Sequence, residues 1–170
     1  WLAKTNFLML MRHERLAELE THVDENDQSL SIRRNGELVV KARIGDEDGR
    51  TAIENFFATF FDGKITGTPN LLTAPGDHMF SDHMDRVLSV INLATVREIG
   101  RVAGKTVDPL RFRANLYIDG VPPWSEFDWI DCSVGIGTAR LTVTERIDRC
   151  AATTVKPGSG IRDINIPKIL

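Results

Sequence analysis

The sequence predicts an α+β domain, mostly β, whose strands form a barrel flanked by a few helices. Three observations predict it. Many short apolar or alternating runs are separated by turn residues, one pair of runs is joined by Asn-Gly, and only two stretches carry helical spacing. Chains that read as many short strands with few helices belong to sheet-dominated folds, and a barrel is one of the solutions open to them.

The elements follow in order. "NFLMLM" (residues 6–11) is a continuous apolar run of strand length and predicts a buried strand. "LAELETHV" (16–23) alternates Ala17, Leu19, Thr21 and Val23 with Glu18, Glu20 and His22, which favours a strand over the helical spacing of Leu16 and Leu19. "SLSIRRNGELVVKARI" (29–44) predicts a hairpin. Leu30 and Ile32 alternate in one arm and Leu38 and Val40 in the other, and Asn35-Gly36 accepts the positive φ of a tight turn. In residues 50–61, Ile53, Phe56, Phe57 and Phe60 recur at i, i+3, i+4 and i+7, the stripe of an amphipathic helix, which Asp62-Gly63 ends.

"NLLTAPG" (70–76) predicts a short strand and turn, and "DHMFSDHMD" (77–85) a polar loop. "RVLSVIN" (86–92) predicts a strand whose last residue, Asn92, caps a helix from Leu93 that Gly104 ends. "RANLYID" (113–119) predicts a strand. "GVPPW" cannot pair regularly, because proline lacks the N–H. "ARLTVTERI" (139–147) alternates Leu141, Val143 and Glu145 against Arg140, Thr142 and Thr144 as a strand, and "VKPGSG" (155–160) is a turn.

Composition narrows the function classes. A chain of 170 residues, 42% apolar, is long enough for one domain with a core. A net charge of −3 argues against general nucleic-acid binding, which depends on neutralising phosphates. No apolar run has the length of a membrane span and no charged-then-apolar leader opens the chain. Two cysteines are too few for a secreted disulfide framework, so the expected setting is a reducing cytoplasm with both thiols free.

Several constellations bear on chemistry. His78 and His83 with Asp77, Asp82 and Asp85 invite a metal reading, but the spacing of five has no diagnostic third ligand, and a polar surface loop is the better reading. There is no Cys-x-x-Cys pair, phosphate-binding Gly-Lys-Ser/Thr loop or Gly-x-Ser-x-Gly elbow. In "RFRAN", Arg111, Arg113 and Asn115 would share one side of an extended segment. They could grip a phosphate or another planar anion, or form a charged strand edge that discourages aggregation. Cys150 directly follows Arg149. A neighbouring cation favours the thiolate, which attacks electrophiles or binds soft metals, whereas a free cysteine otherwise serves as a small buried hydrophobe. Cys132, in "DCSVGIG", has no cation beside it and reads as structural.

The ordered pattern "PLRFRANLYIDGVPPWSEFDW" followed by "VGIGTARLTVTERIDRCAATTVKPGSGIRD" resembles the MOSC domain, named for the carboxy-terminal part of molybdenum-cofactor sulfurase. "FSD" and "SVINLATVREI" resemble the preceding loop, strand and helix of that family, and "NFLMLMRHERLAEL" resembles the tail of its amino-terminal β-rich companion segment. The resemblance implies residues 1–48 as that companion tail and 49–170 as a MOSC-type β-barrel. It also implies that the family's first strands, with their Lys-Ser cofactor contact, and its last strands are missing at the two ends.

It implies molybdenum cofactor (molybdopterin) as the ligand. In members similar to the mitochondrial amidoxime-reducing component, the thiolate of the Arg-Cys motif ligates molybdenum. By motif, that residue is Cys150, with cofactor contacts carried onto Thr95, Arg113, Asn115 and Arg149. The implied function is reduction of a small N-hydroxylated substrate by oxygen-atom transfer, with an external electron-donor protein. Alternatives are a sulfur carrier holding a persulfide on Cys150 and a non-catalytic cofactor-binding module. Lys156 stands where the family usually has aspartate, Asp131-Cys132 where Gly-Arg is usual, and "GDHMFSD" where Gly-His-Ser-Phe-Ser-Asp is usual.

Overall fold

The computed structural model describes residues 4–74, 76, 83 and 85–170. Among the described residues, two α-helices and seven strands form three small sheets, an α+β arrangement with short 3-10 helices between the elements. The chain divides into two compact units, one of Trp1–Ala17 with Asp85–Leu170 and one of Glu18–Met84.

In the second unit, strands β1 (Leu19–Asp24), β2 (Ser29–Arg34) and β3 (Glu37–Arg43) form an antiparallel meander. The expected hairpin is present. Asn35 and Gly36 adopt φ of 52° and 80°, the left-handed pair that a two-residue turn demands and that Gly36 meets without steric cost. The register shifts between Ile32 and Arg33, so Val40 faces Ile32 while Leu38 faces Arg33. That bulge leaves Leu38 exposed and Ile32 fully buried. Helix α1 (Glu47–Phe61) packs against β3 and buries Ile53, Phe60 and Phe61. Asp62, in the left-handed region, ends it.

In the first unit, β4 (Val90–Asn92) and β5 (Leu116–Ile118) pair in parallel, and α2 (Leu93–Ala103) follows β4 directly. The Asn92 side chain accepts a hydrogen bond from the Ala94 N–H at 2.9 Å, and Gly104 closes α2 in the left-handed region, as the sequence predicts. Val96 and Ile99 on α2 join Val107, Phe112, Ile164 and Ile166 in one buried cluster. Burying each large aliphatic side chain is worth roughly 1.5–3 kcal/mol. A hairpin of β6 (Ser133–Ile136) and β7 (Ala139–Thr142) completes the inventory; β6 carries no strand signal in the sequence reading.

Several expected strands are absent or shorter. Residues 6–11 are not a strand. The chain turns back on Met9, whose carbonyl accepts from the N–H groups of Arg12 and His13, and Met9 is the buried residue of the run. An apolar run specifies burial, not backbone conformation. Residues 16–18 belong to a 3-10 helix, Glu14–Glu18, so the first strand starts only at Leu19. Residues 70–74 form no strand, because side chains of α1 take their backbone groups: Glu54 accepts from the Leu71 N–H at 2.7 Å, and Arg50 donates to the Leu71 carbonyl. The strand expected at 139–147 ends at Thr142.

Candidate functional site

Cys150 is an exposed free thiol in extended backbone, φ −86° and ψ 176°, at the N-terminal end of a 3-10 helix, Ala151–Thr154. So short a 3-10 helix has little intrinsic stability, and its hydrogen bonds come largely from outside it. The Thr153 N–H and hydroxyl both donate to the Cys150 carbonyl, at 3.2 and 2.9 Å. The Thr154 hydroxyl donates to the Ala151 carbonyl at 2.7 Å. Two arginines add further donors from outside the turn. Arg111 donates through Nη1 to the carbonyls of Thr153 (3.3 Å) and Thr154 (3.1 Å), and through Nη2 to Asp163 at 2.5 Å. Arg162 donates through Nη1 to the Ala151 carbonyl (2.9 Å) and the Thr154 hydroxyl (2.8 Å). Through Nη2 it reaches the Met11 carbonyl (2.9 Å) and Glu14 (3.1 Å).

This geometry overturns the extended arginine row. Arg111 lies in a 3-10 helix, Pro109–Phe112, capped by Asp108, and is 4% exposed. Arg113 ends that helix at φ 49°. A left-handed residue breaks the two-residue alternation, so Arg111 and Arg113 do not share a side. Arg111 turns inward to the cysteine turn, while Arg113 stays exposed with no side-chain hydrogen bond or ion pair among the described residues. Asn115 accepts from the Ser89 N–H and hydroxyl, both at 2.9 Å, and so fixes the approach to β4. Its amide N–H₂ makes no hydrogen bond among the described residues.

Arg149 lies over the Phe112 ring, 5.6 Å from its centroid. Burial holds its pKa below the usual arginine value, and charge interactions with Cys150 and Tyr117 act the other way. Tyr117 also accepts from the Ala114 N–H at 3.1 Å, which stitches β5 to the Arg113 loop. Phe112, Tyr117, Arg149 and Cys150 therefore converge.

Thr95 sits in the first turn of α2, 6% exposed. Its hydroxyl donates to Glu126 at 2.6 Å and accepts from the Trp124 N–H at 2.8 Å. Asn92 donates to the other Glu126 oxygen at 2.9 Å. In this structure the Thr95 hydroxyl is occupied in holding the Trp124–Glu126 corner against α2. Arg111, Arg162 and Asp163 were missed as a unit. The signal available was the fixed order of "RFRAN" and "RC…RD", which does not say that one arginine of the first motif pairs with the aspartate of the second. Cys132 is also an exposed free thiol. Asp77, His78 and Asp82 of the polar loop lie outside the described residues. Among the described residues, no three His, Cys, Asp or Glu side chains cluster as metal ligands, and no helix is long and apolar enough to cross a membrane.

Residues 62–167, more than half of the chain, match the family model for the MOSC domain. The chain belongs to the MOSC domain family. No curated protein matches it. The match spans Thr95, Arg113, Asn115, Arg149 and Cys150. The MOSC family is associated with molybdenum cofactor, and the donor chemistry here is compatible with such a ligand. A soft sulfur donor is exposed at Cys150, a guanidinium without a side-chain partner among the described residues at Arg113, and a second cation at Arg149.

Proposed function

We propose that this MOSC domain protein binds molybdenum cofactor and reduces small N-hydroxylated compounds, with Cys150 as the protein's thiolate ligand to the metal. The observation that carries the reading is the exposed Cys150 thiol, presented by a turn whose acceptors are held by arginines and flanked by Arg149. A soft thiolate suits molybdenum, and the planar, always charged guanidiniums of Arg113 and Arg149 suit a pterin phosphate. Bound molybdenum supplies oxygen-atom transfer chemistry. The net reaction takes two electrons from an external donor protein and two protons, and releases the amine and water.

The chain's own residues orient and hold. Arg149 provides positive charge beside the thiol, and its stacking on Phe112 limits its freedom. Asn115 keeps one amide face for a ligand while the other fixes the Arg113 loop to Ser89. The roles of Thr95 and Asn115 as direct cofactor contacts belong to this proposal. So do the division into residues 1–48 and 49–170, the closure of the strands into a barrel and a cytoplasmic setting.

The exposure of Cys150 also favours a second reading, a carrier that holds a persulfide on that thiol for metal–sulfur or cofactor assembly. Metal and pterin analysis of the purified protein separates the two. Molybdenum and pterin in equal amounts support the first reading, and a persulfide on Cys150 without molybdenum supports the second. If cofactor is present, the absence of amidoxime reduction with a chemical reductant reduces the first reading to a non-catalytic binding module.

A further inference from the structure

We infer that Arg111 and Arg162 are positioning residues for the Cys150 thiol. The inference deepens the reading of Cys150 as the functional thiol and rests on it. The 3-10 helix Ala151–Thr154 is flanked on both sides by guanidiniums that spend four donor contacts on its polar groups. Each arginine then ties that turn to a different part of the unit. Arg111 leads to Asp163, beyond the closing turn. Arg162 leads to Met11 and Glu14, about 150 residues away in sequence.

Burial alone does not account for this. Thr153 and the following Val155 are buried and fix the far end of the turn, but Cys150 and Ala151 are exposed and Ala152 is only half-buried, so burial does not fix the cysteine end. Arg111 is nearly fully buried and leaves its Nε without a hydrogen-bond partner among the described residues, an unfavourable placement for a cation. Its Nη groups both end on the cysteine turn and its closing aspartate. The consequence is that the backbone immediately after Cys150 is tied down at Ala151, Thr153 and Thr154. The fork of each guanidinium reaches two or more acceptors at fixed angles, which an ammonium cannot reproduce.

The test uses the purified full chain and compares Arg162→Gln, Arg162→Lys and Arg111→Lys with wild type. Arg162 is partly exposed, so its variants are expected to fold; Arg111→Lys disturbs a buried ion pair and serves as the second probe. Iodoacetamide alkylation is followed at Cys150 and at Cys132, the internal reference. The anchored turn presents the thiol in one orientation, so freeing the turn is expected to slow Cys150 about threefold or more relative to Cys132. Arg162→Lys should recover part of that loss, because one ammonium can still reach Ala151.

Amide exchange of Thr153 and Val155 should rise about tenfold in Arg162→Gln, the effect of losing a charge-assisted tie. A merely structural role would lower the unfolding midpoint and leave the Cys150-to-Cys132 rate ratio unchanged; that result, in variants shown to be folded by circular dichroism, overturns the inference. Absence of molybdenum from wild type would defeat the metal-ligand reading, and the rate ratio would still decide whether the arginines position the thiol.

Discussion

Two exposed thiols differ here in their surroundings. Cys132 lies beside the β6–β7 hairpin, its N–H bonded to the Trp129 carbonyl and its carbonyl to the Val143 N–H, and it has no function in the proposed chemistry. Cys150 has Arg149 beside it and an anchored turn after it. Cys150→Ser is nearly isosteric, so it should fold as wild type and keep some pterin through the arginines. Its N-reductive turnover should fall more than about 100-fold, since losing even a supporting partner of a metal ligand costs about 10–100-fold. Cys132→Ser should change turnover little; an inactive Cys132→Ser with an active Cys150→Ser would reverse the assignment.

At Asp119, the bidentate Arg97 guanidinium, 2.6 and 3.0 Å away, together with the Gly120 N–H, lowers the carboxyl pKa to about 2 from an ordinary value of 3.8. A depressed folded-state pKa contributes stability that is present above about 3.8 and lost as pH falls toward about 2. Both side chains are about half exposed, so the contribution is small and screened by salt. Asp119→Asn should therefore be less stable than wild type at neutral pH and low salt and should converge with it near pH 2. Chemical denaturation across that range measures the difference.

Among the elements, α2 shows how one residue can serve three. Asn92 caps the helix through Ala94, donates to the Pro122 carbonyl at 2.9 Å and holds Glu126, all while fully buried. Asn92→Ala removes the cap, worth about 1 kcal/mol, and leaves buried partners unsatisfied at about 1–3 kcal/mol. A loss of roughly 2–4 kcal/mol in denaturant unfolding is expected, whereas Asn92→Asp should preserve the cap and lose the bonds to both Pro122 and Glu126. The Gly100 backbone makes a second close contact. A Cβ there would meet the Lys105 carbonyl oxygen at 2.9 Å, so Gly100→Ala should destabilise α2 despite its better helix propensity.

On the scale of the whole molecule, the unit that contains the candidate site is discontinuous in sequence. Arg162 joins its amino-terminal segment to its carboxy-terminal turn through Met11 and Glu14. A ligand bound at Cys150 should stabilise that unit as a whole. Removing bound cofactor should lower its unfolding free energy by RT ln(1 + [L]/Kd), about 2.7 kcal/mol at a hundredfold excess over Kd. Calorimetry of loaded and stripped protein reads the change, and an unchanged unfolding transition would show that the folded chain does not bind the cofactor.

By itself the sequence determined the local features. The Asn35-Gly36 hairpin, the amphipathic face of α1, the Asn92 and Gly104 caps and the turn at 155–160 each depend on residues a few positions apart, whose backbone preferences act before any tertiary contact. The ordered motifs likewise point to the MOSC family, to which the chain belongs, and place an arginine directly before Cys150. Tertiary structure decided what periodicity cannot. Residues 70–74 are not a strand because Glu54 and Arg50 satisfy Leu71, and residues 6–11 are not one because the chain folds back on Met9. Arg111 and Arg113 part company because a single residue enters the left-handed region, which puts one cation under the cysteine turn and leaves the other at the surface. A buried guanidinium needs acceptors on all sides, and those at Thr153, Thr154 and Asp163 come from a segment more than forty residues away, which no local pattern in "RFRAN" encodes.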